Sequence, residues 1–320
     1  MSIGETVAGK SAAIKKVLNA VSRVAPTDST VLITGETGTG KELMAQAIHR
    51  MSKRAENSFV AINCSALPEN LLESEMFGYR KGSFTGAQAD KKGLIEEANH
   101  GTFFLDEIGE MNINLQAKIL RVLDDSKVRR VGDNDSRKVD VRIIAATNKN
   151  LWKEIQAGRF REDLFFRLNV IMINVPPLRE RKEDIPILIR FFLEKYNKEQ
   201  NKDIIRISDE ALSLLMNYSY PGNVRELENI IKHAVVFADK NTIAKQDLPD
   251  SIPSPILLSS GAVSGDKLLK SGGFFKISEL EKQLIVETLA MTGNNHTVAA
   301  KHLGISRSTL WRKMKGYGII

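Results

Sequence analysis

Apolar positions along the chain follow two patterns that change over near residue 175. Before it, short runs that are apolar almost throughout alternate with stretches whose apolar residues recur at helical spacing. Ile14, Val17, Leu18 and Val21 keep the i, i+3, i+4, i+7 rhythm of one helix face, and Ser11 stands where a side-chain oxygen can cap the first turn. Val31, Leu32 and Ile33 predict a strand, and Phe59, Val60, Ala61 and Ile62 a second. A helix is expected over 68–77 with Pro68 in its first turn, where a missing N–H is tolerated. Thr102, Phe103, Phe104 and Leu105 make a run of the kind found in a central parallel strand covered on both faces. Leu115, Ile119, Val122 and Leu123 mark another amphipathic helix, residues 127–131 a short strand, and Val141, Arg142, Ile143, Ile144 and Ala145 a further core strand. Strands alternating with helices predict an α/β fold: a parallel sheet with helices on both faces, whose ligands sit at the C-terminal strand ends.

Beyond that point the rhythm is helical only. Ile185, Leu188, Phe192 and Leu193, then Leu212, Leu215 and Met216, then Val224, Leu227, Ile230 and Ile231 predict a small helical subdomain. Serines, glycines and two prolines over 250–273 predict a flexible linker. Leu280, Leu284, Ile285 and Leu289 form one helical stripe that Gly293, Asn294 and Asn295 end. Val298, Ala299 and Leu303 mark a short helix, Gly304, Ile305 and Ser306 a turn, and residues 307–315 a second helix capped by Ser306. The expected divisions are therefore 1–175, 176–250, a linker over 251–275, and 276–320.

Composition narrows the class. Apolar content of 42% and charged content of 27% suit a globular protein, and 320 residues allow two or three domains. The net charge of +7 is uneven: residues 256–320 hold nine Lys or Arg against four Asp or Glu, which suggests a polyanion partner for the tail. The one cysteine, Cys64, cannot close an intramolecular disulfide and reads as a buried thiol in a reducing compartment. His49, His100, His233, His296 and His302 show no metal-ligand spacing with it. With no apolar run near 18 residues and no leader pattern after Met1, a cytoplasmic, non-membrane protein is expected.

Candidate chemistry gathers at the predicted strand ends. Gly35-Glu36-Thr37-Gly38-Thr39-Gly40-Lys41-Glu42 joins the first strand to a helical pattern with the G-x-x-x-x-G-K spacing of a P-loop. Glycines let backbone N–H groups point inward at a polyphosphate, the helix N-terminus adds partial positive charge, and Lys41 can reach the β and γ oxygens. Glu42 departs from the generic form, in which Ser or Thr offers Mg²⁺ a hydroxyl. More of the metal's anchoring then falls on Asp106, behind the strand run, while Glu107 can orient or deprotonate the attacking water. Asn148 follows the last core strand and is suited to sense a γ-phosphate, although Asn also commonly ends strands. Arg161 and Arg167 are candidates to neutralise charge developing in phosphoryl transfer, unless one of them pairs with Glu162 or Asp163 on a surface helix. Arg225 is either a lid arginine over the nucleotide or a partner of Glu228.

These residues are similar to those of one family, the AAA+ activators of sigma-54 RNA polymerase, also called bacterial enhancer-binding proteins. The likeness lies in residues 35–42 with their Glu42, in Gly101-Thr102-Phe103-Phe104-Leu105-Asp106-Glu107, in Pro176-Pro177-Leu178-Arg179-Glu180-Arg181 followed by Glu183-Asp184-Ile185, and in Tyr220-Pro221-Gly222-Asn223-Val224-Arg225-Glu226-Leu227. Gly82-Ser83-Phe84-Thr85-Gly86-Ala87 is the most specific match; the family's loop usually carries Ala where Ser83 stands. The resemblance implies an AAA+ P-loop NTPase with a parallel sheet and a helical lid subdomain over 1–250, hydrolysing ATP with Mg²⁺. It implies Lys41 on the phosphates, Asp106 and Glu107 as Walker B acids, Asn63 as a polar switch holding Glu107 between cycles, Asn148 as sensor I and Arg225 as sensor II. Arg161 and Arg167 match fingers given in trans to the next subunit, which requires a homo-oligomeric ring, hexameric in the family. The 82–87 loop is implied to contact sigma-54, with Phe84 and Thr85 at its tip.

Two short helices joined by a glycine-containing turn, the second basic at its start, predict a helix-turn-helix, and the arrangement resembles the Fis-type domain that closes many of these activators. Arg307, Ser308, Thr309 and Arg312 are expected at the major groove of enhancer DNA, with Leu310 and Met314 packed inward and a two-fold dimer reading paired half-sites. The expected function is an ATP-dependent activator that remodels the closed sigma-54 polymerase complex. A nucleotide-binding repressor without sigma-54 contact and a generic AAA+ remodeller are the alternatives; the first should show a degraded 82–87 loop, the second neither that loop nor the tail. The motifs begin close to Met1, so control is expected from a separate partner or from a longer chain.

Overall fold

A computed structural model describes residues 9–250 except 85, 239 and 240, then 252, 285–286, 288–289, 292, 295–303, 305–317 and 319. Two compact units, Met1–Pro255 and Ile256–Ile320, are described in turn.

The first unit runs α1 (Ala12–Val24), β1 (Val31–Thr34), α2 (Lys41–Arg50), β2 (Phe59–Asn63), α3 (Glu69–Phe77), β3 (Gly78–Tyr79), β4 (Lys91–Lys92), α4 (Leu94–Glu97) and β5 (Thr102–Asp106). It continues with α5 (Ile113–Asp125), β6 (Lys127–Arg129), β7 (Ser136–Lys138), β8 (Arg142–Thr147), α6 (Leu151–Gln156), α7 (Glu162–Leu168) and β9 (Ile171–Asn174). Five strands form one parallel sheet in the order β2-β5-β8-β1-β9. The three inner strands are almost wholly buried, as continuous apolar runs require when helices cover both faces. One core lies on the side of α3, α5 and α7, around Phe103, Leu105, Ile119 and Leu164; the other lies against α1 and α2, around Ile14, Ile48, Phe104 and Ile144.

Two local expectations change. Pro68 lies outside its helix as the N-cap residue with extended backbone, ψ 150°, and the helix starts at Glu69. The edge strand β9 did not stand out in the sequence, because it is short and its Met172 is exposed.

The lid follows as α8 (Ile185–Gln200), β10 (Arg206–Ile207), α9 (Asp209–Asn217), α10 (Asn223–Phe237) and β11 (Thr242–Ile243). Helices α8 and α10 bury Ile189, Phe192, Leu227 and Ile231 in a core of their own. Asp184, fully buried before α8, accepts hydrogen bonds from the Ser11 hydroxyl at 2.7 Å and the Ser11 N–H at 2.8 Å, so the cap of α1 is tied to the root of the lid.

In the second unit, α11 (His296–His302) and α12 (Arg307–Gly316) pack around Ala299, Leu310 and Met314, with Ile285 and Leu289 buried beside them. The Ser306 hydroxyl caps α12 by accepting from the Thr309 N–H at 3.1 Å, as its position in the sequence predicts. Of the stripe before it, Leu280 and Leu284 lie outside the described residues, as does the 251–275 linker apart from Ile252.

Candidate functional site

The turn between β1 and α2 uses the glycines where no other residue fits. Gly38 has φ 77°, and a Cβ there would stand 2.2 Å from the Gly222 carbonyl oxygen at the root of α10. That close approach seats the lid on the loop. The Val224 N–H donates to the Gly38 carbonyl at 3.0 Å, the Asn223 amide donates to the Thr37 carbonyl at 3.0 Å, and the buried Arg181 guanidinium donates to the Thr39 carbonyl at 2.9 Å. Glu36 adds a charged clamp: its carboxylate accepts two bonds from Arg179, at 2.7 and 2.6 Å, and one from the Asn223 amide at 3.2 Å. Asn223 makes this possible by adopting φ 55°, a left-handed conformation that Asn tolerates better than most residues. The Glu36 side chain therefore faces the lid. Arg179, Arg181 and Asn223 carried no individual role in the sequence, because their partners are carbonyls and a carboxylate about 140 to 190 positions away.

The Arg179 bonds, then the Asn223 bond, hold the Glu36 carboxyl at about 2, against an ordinary 4.5. A carboxyl lowered on folding stabilises the fold above its unfolded value and loses that contribution as pH falls through the folded one, here between about 4.5 and 2. Replacing Arg179 with Ala is expected to return the Glu36 titration, followed by carboxyl NMR, toward 4.5. An unmoved titration would show that the clamp does not exist in solution.

Beneath the loop lies a cavity of about 430 Å³, lined on one side by Thr37, Gly38, Gly40, Lys41, Glu42 and Leu43, on another by Asn63, Ser65, Asp106, Glu107 and Asn148, and closed by Val224 and Arg225. The parallel register brings the expected residues together: Asn63 at the end of β2 is paired with Asp106 at the end of β5. Lys41 is buried, its ammonium 3.3 Å from Glu107 Oε1 and 3.0 Å from the Gly35 carbonyl. Glu107 sits at φ 52°, a strained conformation for a side chain of its size that aims its carboxylate into the cavity. Its Oε2 accepts from the Asn148 N–H at 3.0 Å, and the Asn148 amide donates to the Thr37 hydroxyl at 3.0 Å, so strand end and P-loop are linked. Burial, then the neighbouring Glu107 charge, raises the Asp106 pKa, and the Lys41 charge opposes the rise. Cys64, adjacent to this cluster, is pushed up to about 12 by burial and by both acids, which leaves it an inert thiol.

Two pairings differ from those expected. The Asn63 amide donates to Asp106 Oδ2 at 3.1 Å and not to Glu107, whose partners are Lys41 and Asn148, because the register places Asn63 beside Asp106. Arg225 does not pair with Glu228, which instead holds Lys195 and Tyr196; the Arg225 side chain lines the cavity with no ion pair among the described residues. Arg161 and Arg167 lie outside the cavity lining, Arg161 paired with Asp163 and Arg167 with Asp124.

The 82–87 loop rises between β3 and β4, which pair as a short antiparallel hairpin. Phe84 leans edge-on against Tyr79 at 4.9 Å and still leaves 45% of its surface exposed, the expected exposed tip and its self-packed alternative at once. The Gly82 N–H donates to the Ala87 carbonyl at 2.8 Å, which closes the loop's neck; Thr85 lies outside the described residues. In the second unit Arg307, Ser308 and Arg312 are exposed, whereas the Thr309 hydroxyl turns back to Ser306 at 2.8 Å, so Thr309 belongs to the cap more than to an outer surface. Trp311, exposed with the Lys315 ammonium 5.4 Å from its ring centre, was passed over in the sequence, although it stands four positions after Arg307 on the same helix.

Residues 7–174 match the family model of the sigma-54 interaction domain, 179–255 that of the AAA+ ATPase lid domain, and 276–317 that of bacterial regulatory proteins of the Fis family. The chain belongs to the sigma-54 activator family. This activator is 48% identical over 313 residues to the regulatory protein AtoC of Escherichia coli, covering 97% of this chain and 67% of that one. It is 47% identical over 313 residues to the nitrogen fixation protein AnfA of Azotobacter vinelandii, covering 98% and 57%. The solved structure of NtrX from Brucella abortus in complex with ADP matches with a TM-score of 0.74 at 35% identity, over 98% of this chain and 70% of that one. The same protein in complex with ATP gives 0.71 at 36%, over 98% and 69%. The activator is thus an AAA+ ATPase with a Fis-type DNA-binding domain, and the matches favour activation over the repressor alternative. Among the described residues no helix is long and apolar enough to cross a membrane.

Proposed function

We propose that this activator binds ATP in the cavity under residues 35–42, hydrolyses it within a hexameric ring, and uses the cycle to raise the 82–87 loop against sigma-54 polymerase held in a closed complex. The observation that carries the reading is the convergence of Lys41, Asp106, Glu107 and Asn148 on one cavity that the lid closes with Arg225. Lys41 would exchange its Glu107 and carbonyl partners for phosphate oxygens, releasing Glu107 to accept a proton from the attacking water. Asn148, bound to both Glu107 and Thr37, would register the γ-phosphate between them.

The donor set suits Mg²⁺, which keeps most of its waters and asks the protein for one or two carboxylates beside substrate phosphates. Asp106, half-buried and held by the Asn63 amide, would hold it, and the ion would neutralise phosphate charge. Among the described residues no three acids or histidines form a cage that could hold a metal without nucleotide.

Arg161 and Arg167 would reach the nucleotide of the next subunit, which makes the ring a chemical requirement. Arg307, Ser308 and Arg312 would hold enhancer DNA, with Thr309 positioning the start of the helix, and the protein would act in the cytoplasm. Domain limits near 175, 250 and 275 accompany this reading.

The test is Phe84→Ala. Sigma-54 binding in the presence of an ATP transition-state analogue should fall by at least tenfold, as expected for an exposed aromatic anchor, with ATP turnover unchanged. Undiminished binding would remove the loop from the partner interface.

A further inference from the structure

A second cavity, of about 550 Å³, opens between α5 and the β6–β7 hairpin and has no part in nucleotide chemistry. Its lining is rich in cations: Arg121 on α5, and Lys127 and Arg129 on β6, where alternation puts both on one face while Val128 points into the core. Antiparallel register sets Lys127 directly opposite Lys138, a like-charge pair that destabilises a hairpin unless an anion lies over it. Among the described residues none of Arg121, Lys127, Arg129 and Lys138 makes an ion pair or a side-chain hydrogen bond, and all four are exposed.

The acids of the lining leave this charge uncompensated. Glu73 is taken by Lys118 and Asp133 by Arg80 and Arg137, so Asp125 alone stands without a partner. Asp133 is held at about 2, first by the Asp135 N–H, so it stays charged and committed to its arginines at any working pH.

The cavity's far wall touches the 82–87 loop. The Arg80 N–H donates to the Val131 carbonyl at 3.0 Å, and a Cβ on Gly132 would stand 2.6 Å from Ser83 Cβ. A ligand lying on the hairpin would therefore run beside the loop. The lining offers long cations with Asn134 and Ser136, and its one aromatic, Phe77, is buried, so no platform exists for stacking bases. Such a surface suits a phosphodiester backbone and carries no sequence readout.

We propose that the α5 and β6–β7 groove is a second, sequence-independent nucleic-acid site that grips promoter DNA phosphates next to the 82–87 loop. It rests on the reading that this loop meets promoter-bound polymerase, and it gives the activator a hold on the DNA separate from its Fis-type domain.

The experiment uses the full chain carrying Arg307→Ala and Arg312→Ala, so that the Fis-type domain contributes little, with and without Arg121→Ala, Lys127→Ala and Arg129→Ala. Affinity for a duplex lacking enhancer sites is measured against salt. Three lost phosphate contacts should lower the slope of log K on log salt by about 2 to 3, with ATP turnover as the control for folding. Arg121→Lys with Arg129→Lys should keep the slope, because charge and not guanidinium geometry is at work. An unchanged slope overturns the proposal; so does an unchanged slope accompanied by weakened binding of a poly-glutamate peptide, which would assign the groove to an acidic protein segment. Phe84→Ala in the same assay separates the two readings. If it leaves both sigma-54 binding and DNA slope intact while the triple variant loses slope, the loop assignment fails and the groove stands.

Discussion

Replacing Glu107 with Gln should leave ATP bound and slow its hydrolysis by about 10²- to 10⁴-fold, the range for losing a general base. The amide keeps the size of the side chain and can still receive the Asn148 N–H, which now meets Glu107 Oε2 at 3.0 Å. What it loses is the ability to accept a proton and the attraction to Lys41 at 3.3 Å. Nucleotide affinity should accordingly stay level or tighten, since Lys41 no longer has to leave a carboxylate to meet phosphate. The strained φ of 52° gives an independent check. Glu107→Gly and Glu107→Ala lose the same Lys41 and Asn148 contacts, but only Gly escapes the left-handed strain of about 1–2 kcal/mol, so it should unfold at the higher temperature of the two while both are as inactive as Glu107→Gln. Single-turnover hydrolysis near wild-type rate in Glu107→Gln would exclude the residue as base and turn attention to Asp106, whose pKa burial already raises.

The second large effect concerns Arg161 and Arg167. Each changed to Ala should lower turnover by about 10³- to 10⁵-fold, the magnitude associated with a supplied arginine. Neither residue lines the cavity of its own subunit, and each is engaged by a local acid, Asp163 or Asp124, so any catalytic contribution must reach a neighbouring subunit. The signature is therefore collective. Wild-type turnover should rise with protein concentration until rings form. Mixing an arginine variant with Glu107→Gln should restore part of the activity, because some interfaces then combine an intact Glu107 with an intact finger. Full activity in dilute monomer, or mixtures no better than either parent, would confine these arginines to surface ion pairing.

Local chemistry was legible in the chain because local physics imposes it. The glycines of 35–42 answer to backbone angles, the apolar runs of β5 and β8 to burial on both sheet faces, and Ser11 and Ser306 to unsatisfied N–H groups at helix starts. Each requirement acts over a few residues and leaves a readable residue type. The exposed edge strand β9 was not legible, since Met172 faces outward and only pairing with β1 makes the segment a strand.

What the sequence alone determined here is the inventory: a P-loop, two acids behind a core strand, an aromatic on a glycine-flanked loop, a basic helix-turn-helix, and a likeness to one family. Only the tertiary structure decided which of these groups meet. Register, not residue type, gives Asn63 to Asp106 and leaves Glu107 to Lys41 and Asn148. The docking of α10 on Gly38 turns Glu36, Arg179 and Asn223 into a clamp between loop and lid. A hairpin two strands wide opposes Lys127 to Lys138 and leaves their charge waiting for an anion. These are contacts between residues far apart in the chain, and no rule of composition or spacing reaches across such separations, because it is the packed sheet and lid that bring them within hydrogen-bonding distance.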